Sequence, residues 1–161
     1  MKKDYISKQG FFKLKRELAF LLRKERPEIL EVVSWAAKNG DRSENGDYIY
    51  GKKKLREIDK RIRYLTKKID SITVVDIADQ VGNKSIFFGA TVEFTRNSSN
   101  TEQIVIVGSE ETGHKKEFIS WNSPIAKALL NHKTGDIVRV ETPKGTEKIT
   151  ILSVTYNDFS E

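Results

Sequence analysis

The pattern of apolar and polar residues divides the chain into a first part with helical spacing and a second part with strand-like spacing. The clearest repeat places apolar or small residues alternately three and four positions apart: Tyr48, Gly51, Leu55, Ile58, Ile62, Leu65, Ile69 and Ile72. A heptad repeat sustained in this way is typical of a helix that packs against another helix as in a coiled coil. We therefore predict a long helix over residues 47–72.

A second set of apolar residues at helical spacing precedes this repeat and predicts a partner helix over residues 7–38. Pro27 lies inside the set and removes one backbone donor, so we expect a kink, or two helices meeting, near residues 23–26. Residues 39–46, between the two helical stretches, are rich in the residue types that end helices and form turns. So short a connection forces the two helices into an antiparallel hairpin.

The rest of the chain changes period. Four segments rich in Val, Ile, Phe and Thr alternate in part and predict strands: residues 87–94, 103–107, 136–140 and 148–156. Ser123 and Pro124 precede an apolar stretch and predict an N-cap, a proline in the first turn and a short helix. We expect an N-terminal antiparallel coiled-coil hairpin over residues 1–75, a linker over 76–85 and a C-terminal α+β domain over 86–161.

The net charge of +6 is unevenly distributed along the 161 residues. Residues 1–72 hold 20 Lys and Arg against 11 Asp and Glu, a net +9, whereas residues 73–161 hold 9 against 12, a net −3. This polarity favours a polyanion as the partner of the first part and a protein as the partner of the second. A solvated, charged helix is the alternative explanation.

Composition excludes several classes of protein. The chain has no cysteine, which rules out disulfides, thiolate catalysis and zinc–thiolate sites. It has no apolar run long enough to span a membrane and no apolar segment behind its basic start, so we expect no membrane span and no secretory signal. We expect a cytoplasmic protein.

The predicted second helix carries a row of cations on the face opposite its apolar seam. With Leu55 at heptad position a, this row occupies positions b and f: Lys53, Arg56, Lys60, Arg63 and Lys67. Lys52 and Lys54 widen the row. Aligned cations suit contact with phosphates irrespective of sequence, and a face that only confers solubility is the alternative.

Asp41 and Glu44 lie three residues apart in the turn of the hairpin. An N-cap Asp with Glu at the third helical position would be a capping box, and spacing alone favours this structural role. Alternatively, the pair offers two hard oxygen ligands to a partly hydrated Mg²⁺ ion. Two carboxylates bind Mg²⁺ weakly, so the protein would supply half of a metal site and a partner the other half. His114 and His132 lack metal-ligand spacing, and we expect no self-contained active site.

Several segments resemble the Gre-type bacterial transcript-cleavage factors. The resemblance begins with GDRSEN at residues 40–45 and KKKLREIDKR at residues 52–61. Further similar segments extend it over nearly the whole chain, among them Arg26-Pro27-Glu28, Trp35-Ala36-Ala37, Phe87-Phe88-Gly89-Ala90 and Ser123-Pro124. The Arg-Pro-Glu segment and the basic second helix resemble the GreB branch.

The resemblance implies a coiled-coil hairpin joined to a C-terminal domain of FKBP-like α+β fold. It implies that the hairpin enters the secondary channel of bacterial RNA polymerase, where Asp41 and Glu44 help to bind a catalytic Mg²⁺ ion. That ion would be held jointly with the polymerase and not tightly by this protein in isolation. The protein would not itself be an enzyme. It would activate the polymerase's cleavage of backtracked RNA and so rescue arrested complexes.

The resemblance also implies two binding surfaces. Four cations near the tip would hold the RNA 3′ segment by its phosphates: Lys52, Lys53, Arg56 and Lys60. A loop before the short C-terminal helix would dock on the polymerase: Asn122, Ser123 and Pro124. An Asp is usual in the family where this chain has Asn122. Gly46 and Gly51 also depart from the family pattern, and they predict a looser tip and first turn.

Three other functions stay open at this point. A channel-binding regulator would occupy the polymerase without promoting cleavage, although the two tip acids argue against it. The C-terminal domain alone would be a peptidyl-prolyl isomerase if the FKBP-like fold carried that activity. A free nuclease would need more metal ligands than two tip carboxylates provide. We expect a monomer in isolation.

Overall fold

A computed structural model describes residues 3–39, 45–113 and 115–157. The chain forms two compact units, one of Phe12–Ser71 and one of Met1–Phe11 together with Ile72–Glu161. The first unit is a helical hairpin, and the second contains a β-sheet and a short helix. The predicted fold class, a helical hairpin followed by an α+β domain, is confirmed.

The first arm of the hairpin is one continuous run of helical backbone in three segments. These are helix α1 at Lys8–Phe20, a π-helical turn at Leu21–Glu25 and helix α2 at Arg26–Lys38. Pro27 has no N–H, and its ring crowds the carbonyl four residues earlier. The wider turn accommodates it, because the Arg26 N–H donates to the Leu21 carbonyl five residues back. The break expected at residues 23–26 is therefore a π-helical turn and not a helix end.

The second arm is helix α3, Gly46–Ser71, which agrees with the predicted helix to within one residue at each end. Gly51, Ile58 and Leu65, three members of the predicted heptad repeat, are buried, while the first arm contributes buried Leu21 and Ala36. Burial of these positions along one side of α3 confirms the coiled-coil seam. It also leaves the other faces of the helix open to solvent.

The C-terminal unit is built on a five-stranded sheet with strand order β5-β4-β3-β7-β6. The strands are β3 at Ala90–Arg96, β4 at Thr101–Val107, β5 at Phe118–Ser120, β6 at Ile137–Thr142 and β7 at Gly145–Tyr156. All neighbours are antiparallel except β4 and β5, which are parallel. Helix α4, Pro124–Leu129, contributes buried Ala126 and Leu129 to the core.

The prediction of a strand beginning at Phe87 is wrong, because β3 begins at Ala90. Gly89 has φ +91°, a left-handed conformation that turns the chain immediately before the strand. Phe88 is nevertheless buried in the core. An apolar residue in a turn therefore produced the same signal as an apolar residue in a strand.

A small parallel sheet brackets the hairpin in sequence. Strand β1, Tyr5–Ser7, pairs with β2, Thr73–Val75, so that Ile6 lies opposite Val74. The sequence analysis did not predict this pairing. A 3₁₀ helix follows at Ile77–Gln80, and its Ile77 is only 1% exposed within the C-terminal core. Residues on both sides of the hairpin thus pack as part of the C-terminal unit.

Candidate functional site

The structure describes the residues on either side of the hairpin tip, Asn39 and Asn45. Asp41 and Glu44, the predicted metal ligands, lie outside the described residues. On the near side, the Asn39 backbone N–H donates to the Ala36 carbonyl at 3.1 Å, and its side-chain amide donates to the Trp35 carbonyl at 3.0 Å. These bonds satisfy carbonyls that the end of a helix would otherwise leave without a donor.

On the far side of the tip, Asn45 caps helix α3. Its side-chain oxygen accepts a hydrogen bond from the Tyr48 N–H at 3.2 Å, which is the geometry of an N-cap. Its side-chain nitrogen donates to the Ala36 carbonyl at 2.7 Å, so Asn45 also ties α3 to the end of α2. The capping box that spacing allowed for Asp41 and Glu44 is therefore wrong for this helix. The cap is Asn45, and Asp47 supplies the negative charge in the first turn.

The row of cations predicted on α3 lies on the surface. Five of its members are exposed: Lys53, Arg56, Lys60, Arg63 and Lys67. Lys52 is half-buried. Within the described parts of the hairpin, no ion pair joins these residues to an acidic side chain. A solvent-facing row of this kind keeps its charge available to a polyanion.

Two other arginines of the hairpin are used in ion pairs between its arms. The Arg61 guanidinium donates to both carboxylate oxygens of Glu17, at 2.6 and 3.0 Å. The Arg26 guanidinium donates to Asp59 at 2.7 Å, and this hydrogen bond raises the pKa of Arg26 above its usual value. Both pairs are partly solvated and contribute little stability. Arg26 and Arg61 therefore join the two arms, whereas, among the described residues, the cations of the exposed row do not.

Gly51 marks a close approach of the two arms near the tip. A Cβ atom placed on Gly51 would lie 2.8 Å from Cγ2 of Val33. No such constraint exists at Gly46, where a Cβ would meet nothing within 4 Å. The looser first turn expected from Gly51 is therefore wrong, because this glycine permits tight packing. At Gly46 the helix does forgo a side chain that would fit.

The predicted docking loop joins β5 to α4 in the C-terminal unit. Ser123 is the N-cap of α4, with its side-chain oxygen 3.4 Å from the Ala126 nitrogen that donates to it, and Pro124 follows in the first turn. Asn122 and Pro124 are exposed. The Ser-Pro prediction of a helix start is confirmed. The loop and the basic row lie in different compact units of the chain.

Ser120 and His132 take part in local hydrogen bonds of the C-terminal unit. Ser120 and Ser109 share a hydrogen bond at 3.1 Å beside the loop. His132 lies 3.2 Å from Asp136, whose pKa is lowered first by the Lys133 backbone N–H and then by His132. Among residues 3–39, 45–113 and 115–157, no group of three His, Asp or Glu is arranged to hold a metal ion. His114 lies outside the described residues.

Sequence reasoning missed one buried carboxylate. Glu111 is 4% exposed and accepts hydrogen bonds from the backbone N–H groups of Ser7, at 3.1 Å, and Gly108, at 2.9 Å. The Ser7 hydroxyl also donates to it. One of the partners of Glu111, Ser7, lies 104 positions away in sequence, so no local sequence pattern predicts the contact.

The fold and its surfaces define a two-part binding protein, with a basic helical hairpin and an α+β unit that carries an exposed loop. Two family descriptions match it in succession. "Transcription elongation factor, N-terminal" covers residues 4–74, and "Transcription elongation factor, GreA/GreB, C-term" covers residues 81–156. The chain belongs to the GreA/GreB family of transcription elongation factors.

Curated relatives agree along almost their full length. The chain is 49% identical to transcription elongation factor GreB of Neisseria meningitidis serogroup B, over 96% of this chain and 94% of that protein. It is 46% identical to GreB of Vibrio vulnificus, over 98% of both chains. It is 45% identical to GreB of Haemophilus influenzae, over 96% of this chain and 98% of that one. The expected resemblance to the GreB branch is confirmed.

Among solved structures, the chain is similar to the GreA factor homolog Gfh1 of Thermus thermophilus. It is 22% identical, covers 95% of this chain and 99% of its own, and superposes with a TM-score of 0.44. A GreA/GreB factor from Nitrosomonas europaea gives 21% identity, 96% and 100% coverage and a TM-score of 0.42. The family assignment rests on the sequence matches. No helix in the described part of the chain combines the length and the apolar composition needed to cross a membrane.

Proposed function

We propose that this elongation factor inserts its helical hairpin into the secondary channel of bacterial RNA polymerase and stimulates the polymerase's own cleavage of backtracked RNA. The observation that carries the proposal is the exposed basic row on α3, which begins next to an acidic tip. A narrow two-helix hairpin suits entry into a channel. The factor activates a reaction whose catalytic centre belongs to the polymerase.

The acids at the tip have the role of metal ligands in this proposal. Asn45 already caps α3, so a capping function at that helix does not account for Asp41 and Glu44. Two carboxylates suit a Mg²⁺ ion whose other ligands come from the polymerase. When bound, such an ion activates a water molecule and stabilises the charge that develops at the phosphate. This chain contributes the two carboxylates and the helical arms that deliver them.

The basic row has the role of an RNA grip. Lys53, Arg56 and Lys60 are exposed at successive turns from the tip, and Lys52 flanks them. Cations spaced along one helix face hold a phosphate backbone irrespective of its base sequence. The extruded 3′ segment of a backtracked transcript is a single strand of arbitrary sequence. The grip would therefore serve any stalled complex.

The loop with Asn122, Ser123 and Pro124 has the role of the docking site on the polymerase. Its polar Asn122 and apolar Pro124 are exposed, while the N-cap bond of Ser123 fixes the loop to α4. A protein that acts on bacterial RNA polymerase works in the cytoplasm. The expected location follows from this proposal.

The proposal is tested with a defined backtracked elongation complex and Mg²⁺. We expect the wild-type protein to release short RNA from the 3′ end, and Asp41→Asn or Glu44→Gln to slow that release by roughly 10²-fold or more at saturating factor. Asp70→Asn, a matched change at the far end of α3, should retain full activity. Unchanged cleavage by both tip variants would exclude the metal role.

The same assay separates two of the other functions, the channel-binding regulator and the free nuclease. A wild-type protein that binds the polymerase, inhibits elongation and never shortens the transcript would be a channel-binding regulator. RNA incubated with the protein and Mg²⁺, without polymerase, should stay intact. Degradation in that control would indicate a free nuclease.

A further inference from the structure

Trp121, the first residue of the loop that precedes α4, is held by the N-terminal segment of the chain. Its indole Nε1–H donates to the Asp4 carboxylate at 3.2 Å, and its ring meets Tyr5 edge-on with centroids 5.0 Å apart. Its backbone N–H donates to the Val107 carbonyl at 2.8 Å. Ring and backbone of Trp121 are therefore both fixed. The segment that fixes the ring is 117 positions away in sequence.

Asn122, the next residue, is oriented by a different set of contacts. The Ser120 hydroxyl donates to its side-chain oxygen, and Ser120 in turn shares a hydrogen bond with Ser109 at 3.1 Å. Asn122 itself is exposed. The amide that the loop presents to solvent is thus aligned by two hydroxyl groups, one of which lies in the loop after β4.

Glu111 links these two supports. Its buried carboxylate accepts from the Ser7 hydroxyl and N–H and from the Gly108 N–H, and so joins the end of β1 to the loop after β4. A buried carboxylate is costly unless such donors surround it. A Cβ on Gly10 would collide with the Glu111 side chain, so the start of α1 is fitted closely around it. The N-terminal segment is anchored at Asp4 and again at Ser7.

We propose that Asp4 is a positioning residue for docking on the polymerase, acting through Trp121, and that Glu111 secures the segment that carries it. This inference rests on the proposed function. A loop ordered before binding loses less conformational entropy when the partner arrives, so its affinity is higher. The N-terminal segment is therefore part of the docking apparatus through its contact with Trp121.

The test separates affinity from the catalytic step. Stimulation of cleavage is measured against factor concentration for wild-type, Asp4→Ala and Trp121→Phe, which retains a ring but has no Nε1–H. We expect each variant to raise the half-saturating concentration by about three- to ten-fold with an unchanged maximal rate. The half-saturating concentration of the double variant should be no higher than that of the more impaired single variant. Both changes remove the same hydrogen bond, so their effects should not add.

Asp4→Asn is the matched control, since its side-chain oxygen still accepts from Nε1 while the charge is gone. We expect its half-saturating concentration to stay within about two-fold of wild-type. If Asp4→Asn is as impaired as Asp4→Ala, the charge of Asp4 acts otherwise than through its hydrogen bond to Trp121, and the positioning role is wrong. Additive losses in the double variant would also overturn it.

Tryptophan fluorescence reports directly on order in the loop before α4. The chain has two tryptophans, Trp35 and Trp121, so removing Trp35 leaves only the one in the loop. In a Trp35→Phe background, Trp121 alone emits, and we expect Asp4→Ala to shift its emission to the red and Asp4→Asn to leave it in place. Identical emission from all three proteins would overturn the inference. Thermal unfolding of each variant separates these local effects from loss of the fold.

The failure of this inference and that of the proposed function are distinguishable. Asp41→Asn should lower the maximal rate without changing the half-saturating concentration, the reverse of the effect at Asp4. If the wild-type protein stimulates cleavage and Asp4→Ala and Trp121→Phe do so equally well, only the inference about Asp4 is wrong. A wild-type protein that neither binds the polymerase nor stimulates cleavage would remove both.

Discussion

Substituting Gly51 by alanine should destabilise the hairpin, although alanine is ordinarily the better helix former. In an open helix the change would stabilise the folded state by about 1 kcal/mol. At Gly51 the new Cβ would stand 2.8 Å from Cγ2 of Val33, and carbon atoms pack best at about 3.5–4.0 Å. The arms would have to separate locally by roughly 0.7–1.2 Å, or Val33 would have to leave its preferred rotamer.

Overpacking of this kind costs about 1–3 kcal/mol, which equals or exceeds the gain of about 1 kcal/mol in helix propensity. We therefore expect Gly51→Ala to lower the free energy of unfolding of the hairpin by up to about 2 kcal/mol. Gly46→Ala, with open space around its Cβ, should raise it by a few tenths of a kcal/mol to about 1 kcal/mol. The two substitutions are chemically identical and lie on one helix, so their opposite signs isolate the effect of packing.

Hydrogen exchange at the backbone amides of α3 is the appropriate assay, because the two compact units need not unfold together. In a Val33→Ala background the obstructing methyl is absent, and Gly51→Ala should there become stabilising. If Gly51→Ala protects the amides as well as Gly46→Ala does with Val33 intact, the close approach of the arms is not what requires glycine.

Three further predictions concern other sites. Asn45→Ala should lower hairpin stability by about 1–2 kcal/mol, seen as faster hydrogen exchange in the first turn of α3, because it removes the helix cap and the bond to α2. Glu111→Gln should destabilise the C-terminal unit by about 1–3 kcal/mol in denaturant unfolding, since both carboxylate oxygens accept hydrogen bonds and an amide keeps only one acceptor oxygen. The Lys133 N–H and His132 lower the pKa of Asp136, so its ionised carboxylate stabilises the fold above its unfolded pKa of about 3.9. That contribution disappears as pH falls through the lower folded pKa, so Asp136→Asn should reduce the Tm at neutral pH and match wild-type in strong acid.

The heptad repeat and the Ser123-Pro124 pair allowed the hairpin, its seam and the start of α4 to be predicted from sequence. These signals are local, because each residue and its helical neighbours lie within a few positions. The exposed basic row followed from the same heptad positions. Asp41 and Glu44 remain predictions, since they lie outside the described residues.

The features that sequence did not reveal depend on distant partners or on short elements. Strand β1 has three residues, too few for an alternating pattern, and its partner β2 lies beyond the entire hairpin. The Asp4–Trp121 bond spans 117 positions. At the tip, spacing favoured Asp41 as the N-cap with Glu44 at the third helical position, whereas the structure shows Asn45 as the cap of α3.

The parallel pairing of β1 and β2 makes the hairpin a crossover connection. Parallel neighbours cannot be joined by a tight turn and always need an excursion of the chain between them. Here the excursion is the whole helical hairpin. Inserting one heptad into each arm would extend its reach by about 10 Å while leaving both strands and their register untouched. The length of the hairpin can therefore be increased or decreased, by evolution or by design, without changing the rest of the fold.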